Sequence, residues 1–352
     1  MESGPFEPQK DGSLKLRPTR FNRLANTIYV EQPAGVGFSK TKNPNFRWTD
    51  ADAANDNFEF IVKFFERYPE LKPNNFFLNS ESYGGHYLPT LALNFVKYEH
   101  DINFKGFFVG NPLIYMPYRD FGQYATYGYH QMLPYTEFSE YIKQCTPSTS
   151  GMPNPPNDLP MVCSSLERKF DALTRNIDPY AIDYPVCIDS NGNLQSKTAG
   201  AVGDHTLAMY RKATGKTSSL GRSAATETSP ILRSLLKDLG VDTEQFGAFT
   251  PNYEPCTENY TNKYFNRPEV MKAIHAESKG YPWSICANID YSGYDMITSM
   301  VPVYKELMTK SNMSILVYSG DNDAICATVE TQMAFANNFA VAEANQPTTE
   351  RY

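Results

Sequence analysis

The chain has 352 residues, which is long enough to bury a large core as one large domain or as one domain with an insertion. It carries 32 Lys and Arg residues against 39 Asp and Glu residues, a net charge of −7, and no long basic run, which argues against a nucleic-acid-binding protein. No apolar stretch reaches the roughly 18 residues that a membrane-spanning helix needs, so we expect no membrane segment.

Predicted strands and helices alternate along the first 114 residues. The predicted strands are Thr27–Val30, Phe76–Leu78 and Phe104–Gly110. A helix capped by Thr49 or Asp50 follows the first strand, and a second helix follows the second strand. The apolar stripe of the first helix consists of Ala54, Phe58, Ile61 and Phe65. This order predicts an α/β fold with a mainly parallel, doubly wound sheet.

Residues 115–294 break this alternation. Met152–Pro160 has four prolines in nine positions, and Asn191–Ser229 is polar without periodicity. We interpret residues 115–294 as an inserted cap, and residues 1–114 and 295–352 as the α/β core. Alternation returns with a helix near Ser299–Met308 and a strand at Ser314–Tyr318.

The stretch Asn74–Pro89 combines a short aromatic strand, a turn of small residues and the start of a helix. Ser82 stands at the apex of the turn, and Gly84 follows it by two residues. This arrangement is typical of the nucleophile elbow of α/β-hydrolases, in which small neighbours let the serine hydroxyl stand clear of the backbone. Ser80 replaces the usual first glycine, and it is also small.

Five segments of the chain resemble the serine carboxypeptidase family, in the family's order. They are Glu31–Ser39 (EQPAGVGFS), Glu81–Pro89 (ESYGGHYLP), Gly106–Leu113 (GFFVGNPL), Tyr264–Ala276 (YFNRPEVMKAIHA) and Val317–Thr328 (VYSGDNDAICAT). The resemblance implies an α/β-hydrolase fold and hydrolysis of C-terminal residues from peptides through an acyl-Ser82 intermediate. It implies no metal and no cofactor.

The same resemblance assigns the catalytic acid but leaves the base unassigned. The turn Gly320–Asp323 follows the predicted strand Ser314–Tyr318, where the fold presents its acid, and the family pattern selects Asp323. All five histidines precede Asp323, whereas the family places its base after the acid. His86 matches a structural position of the family. We therefore expect the 352-residue chain to lack a base and to show no measurable peptidase activity.

Three further residues are assigned by the resemblance. The backbone amide of Tyr83 is expected to donate to the oxyanion of the intermediate, while the glycine motif that supplies the second donor is not matched in this sequence. Glu2 and Glu81 match the acidic pair that binds the C-terminal carboxylate of the substrate. Two neighbouring carboxyls cannot both ionise, so one keeps a proton and can donate to an anionic substrate, which favours acidic pH.

The six cysteines also receive roles from the resemblance. The family pairs Cys145 with Cys163 and Cys187 with Cys256. Cys286 would pair with a cysteine in the unmatched glycine motif. Cys326 resembles a free thiol beside the acid, although a small buried hydrophobic residue explains it as well.

The cysteines and the N-terminus lead to different expectations about location. Six cysteines suggest disulfide bonds and a secretory compartment, and Asn259 and Asn312 begin glycosylation sequons. The family is likewise secreted, vacuolar or lysosomal. Residues 1–20, however, lack the apolar core of a signal peptide, and a missing N-terminal piece would resolve the conflict.

The expected partners are peptide or protein C-termini, without nucleic acid or membrane, and a homodimer is left open. Two alternatives to a peptidase remain. The first is a non-catalytic relative that binds or protects a partner, and the second is an acyltransferase that uses the same residues. A transcript that extends past Tyr352 to a histidine would favour an enzyme over a binding protein. Transfer from an acyl-glucose would identify the acyltransferase.

Overall fold

The computed structural model describes residues 4–43, 45–147, 160–175, 177–187, 254–276, 280, 282–286 and 289–339. These residues form two compact units. The first unit contains the described residues of 4–43, 175–187 and 254–286, and the second contains those of 45–174 and 289–339. The predicted core and cap do not coincide with these units, and the cap boundary stays a prediction.

The second unit contains the α/β core. Its strands are β3 (Phe76–Ser82), β4 (Phe104–Pro112) and β5 (Ser314–Tyr318), numbered after two strands of the first unit. Its helices are α1 (Asp50–Arg67), α2 (Gly84–Lys97), α3 (Met116–Tyr129), α4 (Tyr135–Cys145), α5 (Met161–Thr174), α8 (Gly293–Ile297), α9 (Val301–Lys310) and α10 (Thr328–Phe339), with a 3₁₀ turn at Pro69–Leu71.

The three strands form a parallel sheet in the order β3-β4-β5. Val109 of β4 lies opposite Ser80 of β3 and Val317 of β5, so the C-terminal ends of all three strands meet at one edge. The parallel α/β fold expected from the sequence is therefore confirmed. Loops at this edge are where an α/β sheet positions its functional side chains.

The main core lies between the sheet and helices α1, α2 and α9. Phe107 and Val109 of β4 are almost fully buried, together with Tyr304 and Leu307 of α9. Helix α1 begins with a capping box, in which Thr49 accepts from the amide of Asp52 and the Asp52 carboxylate accepts from the amide of Thr49. The predicted apolar stripe of α1 faces this core.

The opposite side of the sheet is exposed at β5. Side chains of this strand alternate between half-buried and exposed, and Leu316 and Tyr318 are 59% and 46% exposed. Phe77 of β3 lies on the same side and is also exposed. In the part of the chain that the structure describes, β3 and β5 are the two edge strands of this sheet.

Helices α3, α4 and α5 pack as a small aromatic layer in the second unit. The ring of Tyr141 contacts those of Phe121, Tyr124 and Phe170, and Tyr124 also contacts Phe170. The disulfide Cys145–Cys163 joins the end of α4 to α5, so this expected bond is confirmed.

The first unit is built from short elements. Its elements are the antiparallel strands β1 (Phe6–Pro8) and β2 (Leu14–Leu16), a 3₁₀ turn at Phe21–Arg23, and the helices α6 (Thr257–Phe265) and α7 (Pro268–Ala273). The expected disulfide Cys187–Cys256 is present in this unit. None of the described helices is long and apolar enough to cross a membrane.

The predicted strand at Thr27–Val30 is wrong. This run belongs to no strand of the structure, and Ile28, Tyr29 and Val30 are exposed. Their side chains favour an extended backbone, but β propensity mainly reflects packing against a paired and half-buried neighbour. The local sequence cannot supply that neighbour, so the propensity alone was misleading.

Candidate active site

Ser82 lies at the tip of a strained strand-to-helix turn. It is the last residue of β3, and Gly84 begins α2 two residues later. The backbone of Ser82 has φ = 54°, a left-handed conformation that costs a non-glycine residue roughly 1–2 kcal/mol. The carbonyl of Ser82 accepts a 2.8 Å hydrogen bond from the amide of Leu113, which anchors the turn to the end of β4. The geometry is that of a nucleophile elbow.

The two glycines after Ser82 leave room for this turn. A Cβ on Gly85 would lie 2.2 Å from the carbonyl oxygen of Leu113, so no larger residue fits without moving the backbone. A Cβ on Gly84 would lie 2.5 Å from both the Cβ and the Oγ of Ser80. Serine at position 80 is therefore accommodated because Gly84 has no side chain.

Cys326 connects the expected nucleophile to the expected acid. The Oγ of Ser82 lies 3.6 Å from the Sγ of Cys326. The amide of the same cysteine lies 3.3 Å from each carboxylate oxygen of Asp323, and the amide of Ile325 donates to Asp323 Oδ1 at 2.7 Å. Burial raises the pKa of the Cys326 thiol well above its usual value, so the thiol is neutral and does not act as a base.

Asn111 and Arg119 hold the loop that carries Asp323. Asn111, at the end of β4, donates from Nδ2 to the carbonyls of Gly320 (2.9 Å) and Cys326 (3.0 Å) and accepts from the amide of Gly320 at 3.0 Å. Arg119 on α3 donates from Nε to the carbonyl of Ile325 at 2.9 Å. We did not predict either role. Asn111 lies within a segment that resembles the family, but no local pattern marks Arg119.

Glu330 lies beneath this loop in the first turn of α10. Its carboxyl is fully buried, and Oε1 accepts from the amide of Ile114 at 2.7 Å. Its Oε2 has no hydrogen-bond partner among the described residues. Burial raises the pKa of Glu330 to about 8, although the amides of Ile114 and Tyr115 favour the charged form. No pattern in the sequence predicted a buried acid here.

No described histidine joins Ser82 to Asp323. In the described part of the chain, the Oγ of Ser82 has no hydrogen bond to a histidine. The Nδ1 of His86 lies 2.8 Å from Asp50 Oδ2, and His100 contacts the carbonyl of Phe95. His205 lies outside the described residues. Ser82 and Asp323, the expected nucleophile and acid, therefore have no imidazole from the described residues between them.

Glu81 shares one face of the sheet with Tyr318. The register places Glu81 beside Gly110, and Gly110 beside Tyr318. A Cβ on Gly110 would lie 2.8 Å from the Tyr318 hydroxyl, so the ring extends over Gly110. Partial burial and the Glu81 carboxyl raise the pKa of Tyr318. Glu2, the expected partner of Glu81, lies outside the described residues.

The two sequons differ in their exposure. Asn312 is exposed in the loop before β5, whereas Asn259 is half-buried in α6, with Nδ2 3.6 Å from the Sγ of Cys187. Glycosylation at either position stays a prediction. Cys286 is exposed, and Cys326 is buried.

Comparison with known proteins identifies the family. A model of the serine carboxypeptidase family matches residues 1–351. Serine carboxypeptidase-like 26 of Arabidopsis thaliana is 33% identical over 339 residues, which cover 94% of this chain and 64% of that protein. Serine carboxypeptidase 24 of the same plant is 29% identical over 362 residues, covering 100% of this chain and 67% of that protein.

A solved structure supports the fold. Kex1(delta)p, a prohormone-processing carboxypeptidase from Saccharomyces cerevisiae, superposes with a TM-score of 0.61 at 17% identity, covering 96% of this chain and 64% of that one. The chain thus spans about two thirds of the length of these proteins. Because the family model matches residues 1–351 of the 352-residue chain, the chain belongs to the serine carboxypeptidase family.

Proposed function

We propose that Ser82 is the nucleophile and Asp323 the acid of a serine-type carboxypeptidase that releases C-terminal residues from peptides. One observation carries this proposal. The strained turn at Ser82 places its hydroxyl against Cys326, whose own amide contacts the Asp323 carboxylate. A serine and an acid that contact the same residue lie near each other, as a triad requires.

In this proposal the hydroxyl of Ser82 attacks the carbonyl carbon of the last peptide bond. A base takes the proton of the hydroxyl, and the backbone amide of Tyr83 donates to the oxyanion. The C-terminal amino acid leaves with the proton that the base returns. Water then attacks the acyl-Ser82 ester and releases the shortened peptide. Each step needs an imidazole held by Asp323.

We further propose that Glu81 contributes to recognition of the C-terminal carboxylate of the substrate. It lies one residue before Ser82, on the face of the sheet that also presents Tyr318. A protonated Glu81 would donate to the carboxylate, which favours acidic conditions. Two disulfide bonds and an exposed sequon at Asn312 are consistent with a secreted or vacuolar location.

Because no described histidine bonds to the Oγ of Ser82, the direct test is whether free imidazole can act as the base. Purified protein is incubated with an N-blocked dipeptide at about pH 6.5, close to the pKa of an imidazole side chain, with and without added imidazole. We expect release of the C-terminal amino acid only with imidazole. Release should be abolished in Ser82→Ala and strongly reduced in Asp323→Asn.

Three outcomes would contradict the proposal. The first is release that persists in Ser82→Ala. The second is binding of the dipeptide by the folded protein without release at any imidazole concentration, as expected of a non-catalytic relative. The third is transfer from an acyl-glucose without hydrolysis of the dipeptide, as expected of an acyltransferase. Release without imidazole that disappears in Ser82→Ala would confirm the peptidase but would show that a histidine of the chain serves as the base.

A further inference from the structure

A buried carboxylate lies behind the elbow, on the side of Tyr83. Asp50, the first residue of α1, accepts hydrogen bonds from the hydroxyls of Tyr83 (3.0 Å) and Tyr291 (2.7 Å) on Oδ1. Its Oδ2 lies 2.8 Å from the Nδ1 of His86. The backbone amide of Asp50 donates to Asp295 at 2.8 Å. Segments distant in the sequence therefore meet at one acidic side chain.

The aromatic rings of this cluster also pack closely against one another. The ring of Tyr83 stacks on His86 with centroids 4.7 Å apart, and it contacts the rings of Tyr87 and Tyr291 edge to face. Such contacts fix the position of a ring as well as its direction. The Tyr83 side chain is thus held by its ring and by its hydroxyl.

The cluster is not optimised for stability. His86 is fully buried, and its Nε2 has no hydrogen-bond partner among the described residues. Leaving a buried polar atom unpaired costs roughly 1–3 kcal/mol. Burial opposes the charge of Asp50, although its hydrogen bonds from His86, Tyr291 and Tyr83 still lower the pKa of Asp50. The hydrogen bonds thus outweigh the burial of the Asp50 charge, and the unpaired Nε2 of His86 is the cost of this cluster that calls for an explanation.

The position of Tyr83 in the elbow explains why this polar cluster is present. It directly follows Ser82, and its carbonyl accepts from the amides of His86 and Tyr87 at 2.9 and 3.1 Å in the first turn of α2. We propose that Asp50 and His86 are positioning residues, which hold the Tyr83 side chain and thereby aim its backbone amide at the oxyanion. This inference rests on the proposed function, in which that amide is the oxyanion donor.

The test measures the rate at which a fluorophosphonate labels Ser82 in imidazole buffer. In this reaction the serine oxygen bonds to phosphorus, fluoride leaves, and imidazole takes the proton. The tetrahedral adduct uses the same oxyanion donor. Tyr83→Phe keeps the ring but loses the bond to Asp50, and we expect labelling to slow about tenfold. Asp50→Asn disturbs all three bonds, and we expect a loss of about 10²-fold, the effect of a misplacement of about 1 Å.

The chain offers a matched control in the aromatic layer of α3–α5. The hydroxyl of Tyr124 donates to buried Asp171 at 2.9 Å, as that of Tyr83 does to Asp50, but on helices that do not form the elbow. Tyr124→Phe should lower stability by a similar amount and leave the labelling rate unchanged. Hydrogen exchange at the Tyr83–Gly85 amides should accelerate in Tyr83→Phe and Asp50→Asn but not in Tyr124→Phe.

These measurements separate the two proposals. If the unmodified protein is folded but never labels, the proposed function fails, while amide exchange still tests the positioning. If the unmodified protein labels and Tyr83→Phe labels at the same rate as Tyr124→Phe, the positioning inference is overturned. Equal exchange at Tyr83–Gly85 in Tyr83→Phe and Tyr124→Phe also overturns it, and this comparison does not require Asp50→Asn to fold.

Discussion

The two turns that carry the candidate site are held in different ways. The elbow between β3 and α2 is fixed by backbone contact, because Gly85 lies against the carbonyl of Leu113 and Ser82 adopts a positive φ. The loop after β5 is fixed by side chains from other elements, chiefly Asn111 and Arg119. The first turn is therefore held by close backbone packing, and the second by long-range hydrogen bonds from side chains.

This difference predicts how each turn fails. A steric turn tolerates almost no added atom but does not depend on pH. A hydrogen-bonded loop tolerates small changes, because each bond contributes about 1 kcal/mol, but it responds to the charge of its surroundings. The predictions below test the two expectations, from the largest effect to the smallest.

Gly85→Ala should be the most damaging change. The new Cβ would lie 2.2 Å from the Leu113 carbonyl oxygen, and backbone cannot rotate aside as a side chain does. We expect a loss of about 3 kcal/mol or more in the free energy of unfolding, at the upper end of overpacking effects. Gly4→Ala is the control, since nothing lies within 4 Å of its Cβ position. Chemical denaturation of both variants provides the measurement, and equal stabilities would refute the steric account.

Glu330 should make stability depend on pH. Its pKa is about 8 in the folded protein against 4.5 as its ordinary value, so the folded state binds the extra proton between these limits. Its contribution is fully present below about pH 4.5 and is lost as pH rises through about 8, with a slope of up to about 1.4 kcal/mol per pH unit.

Glu330→Gln isolates this contribution. The amide has nearly the same shape and does not titrate, so the stability of the unmodified protein relative to the variant should be greatest at low pH and should decline as pH rises. Denaturation curves of the two proteins at several pH values give the comparison. A difference in unfolding free energy that stays constant from about pH 5 to about pH 8 would contradict the assigned pKa.

Asn111→Ala should weaken the acid loop by about 2 kcal/mol, since three hydrogen bonds to Gly320 and Cys326 are lost at a partly buried position. Imidazole-dependent labelling of Ser82 should also slow, because the loop holds Asp323. Asn103→Ala removes two amide hydrogen bonds rather than three, to Pro73 and Asn75, and should cost about 1 kcal/mol. Similar losses of unfolding free energy in both variants would show that Asn111 stabilises the protein no more than Asn103 does.

The smallest effect is a coupling between Ser80 and Gly84. Gly84→Ala places its Cβ 2.5 Å from the Ser80 side chain, and Ser80→Gly removes that obstacle. The double variant should recover about 1 kcal/mol relative to the sum of the two single changes. A double-mutant cycle of unfolding free energies measures the coupling, and strict additivity would show that the two positions do not share this space.

The elbow could be predicted from the sequence, but the side chains that hold the loop of Asp323 could not. Ser82, Gly84 and the flanking strand and helix are consecutive, so their steric pattern is visible in one short stretch. Asp323 was assigned by resemblance to a family and by the strand before it. Asn111 and Arg119 act on residues about 200 positions away, and no local pattern predicts such a bond.

The error at Thr27–Val30 has the same physical origin. A β-branched run indicates an extended backbone, but a strand requires a partner whose identity lies elsewhere in the chain. Glu330 is a related case, because a glutamate in the first turn of a helix is ordinary at the surface. Only the packing of α10 shows that it is buried.

The exposed side of β5 has a practical consequence for work in solution. Leu316 and Tyr318 present apolar surface along a strand that is an edge in the described sheet. Such an edge can pair with a strand of another molecule, and burial of the exposed apolar side chains would stabilise that pairing. Concentration becomes a variable of every measurement, so denaturation curves and labelling rates are best compared at one low protein concentration and then repeated at a higher one.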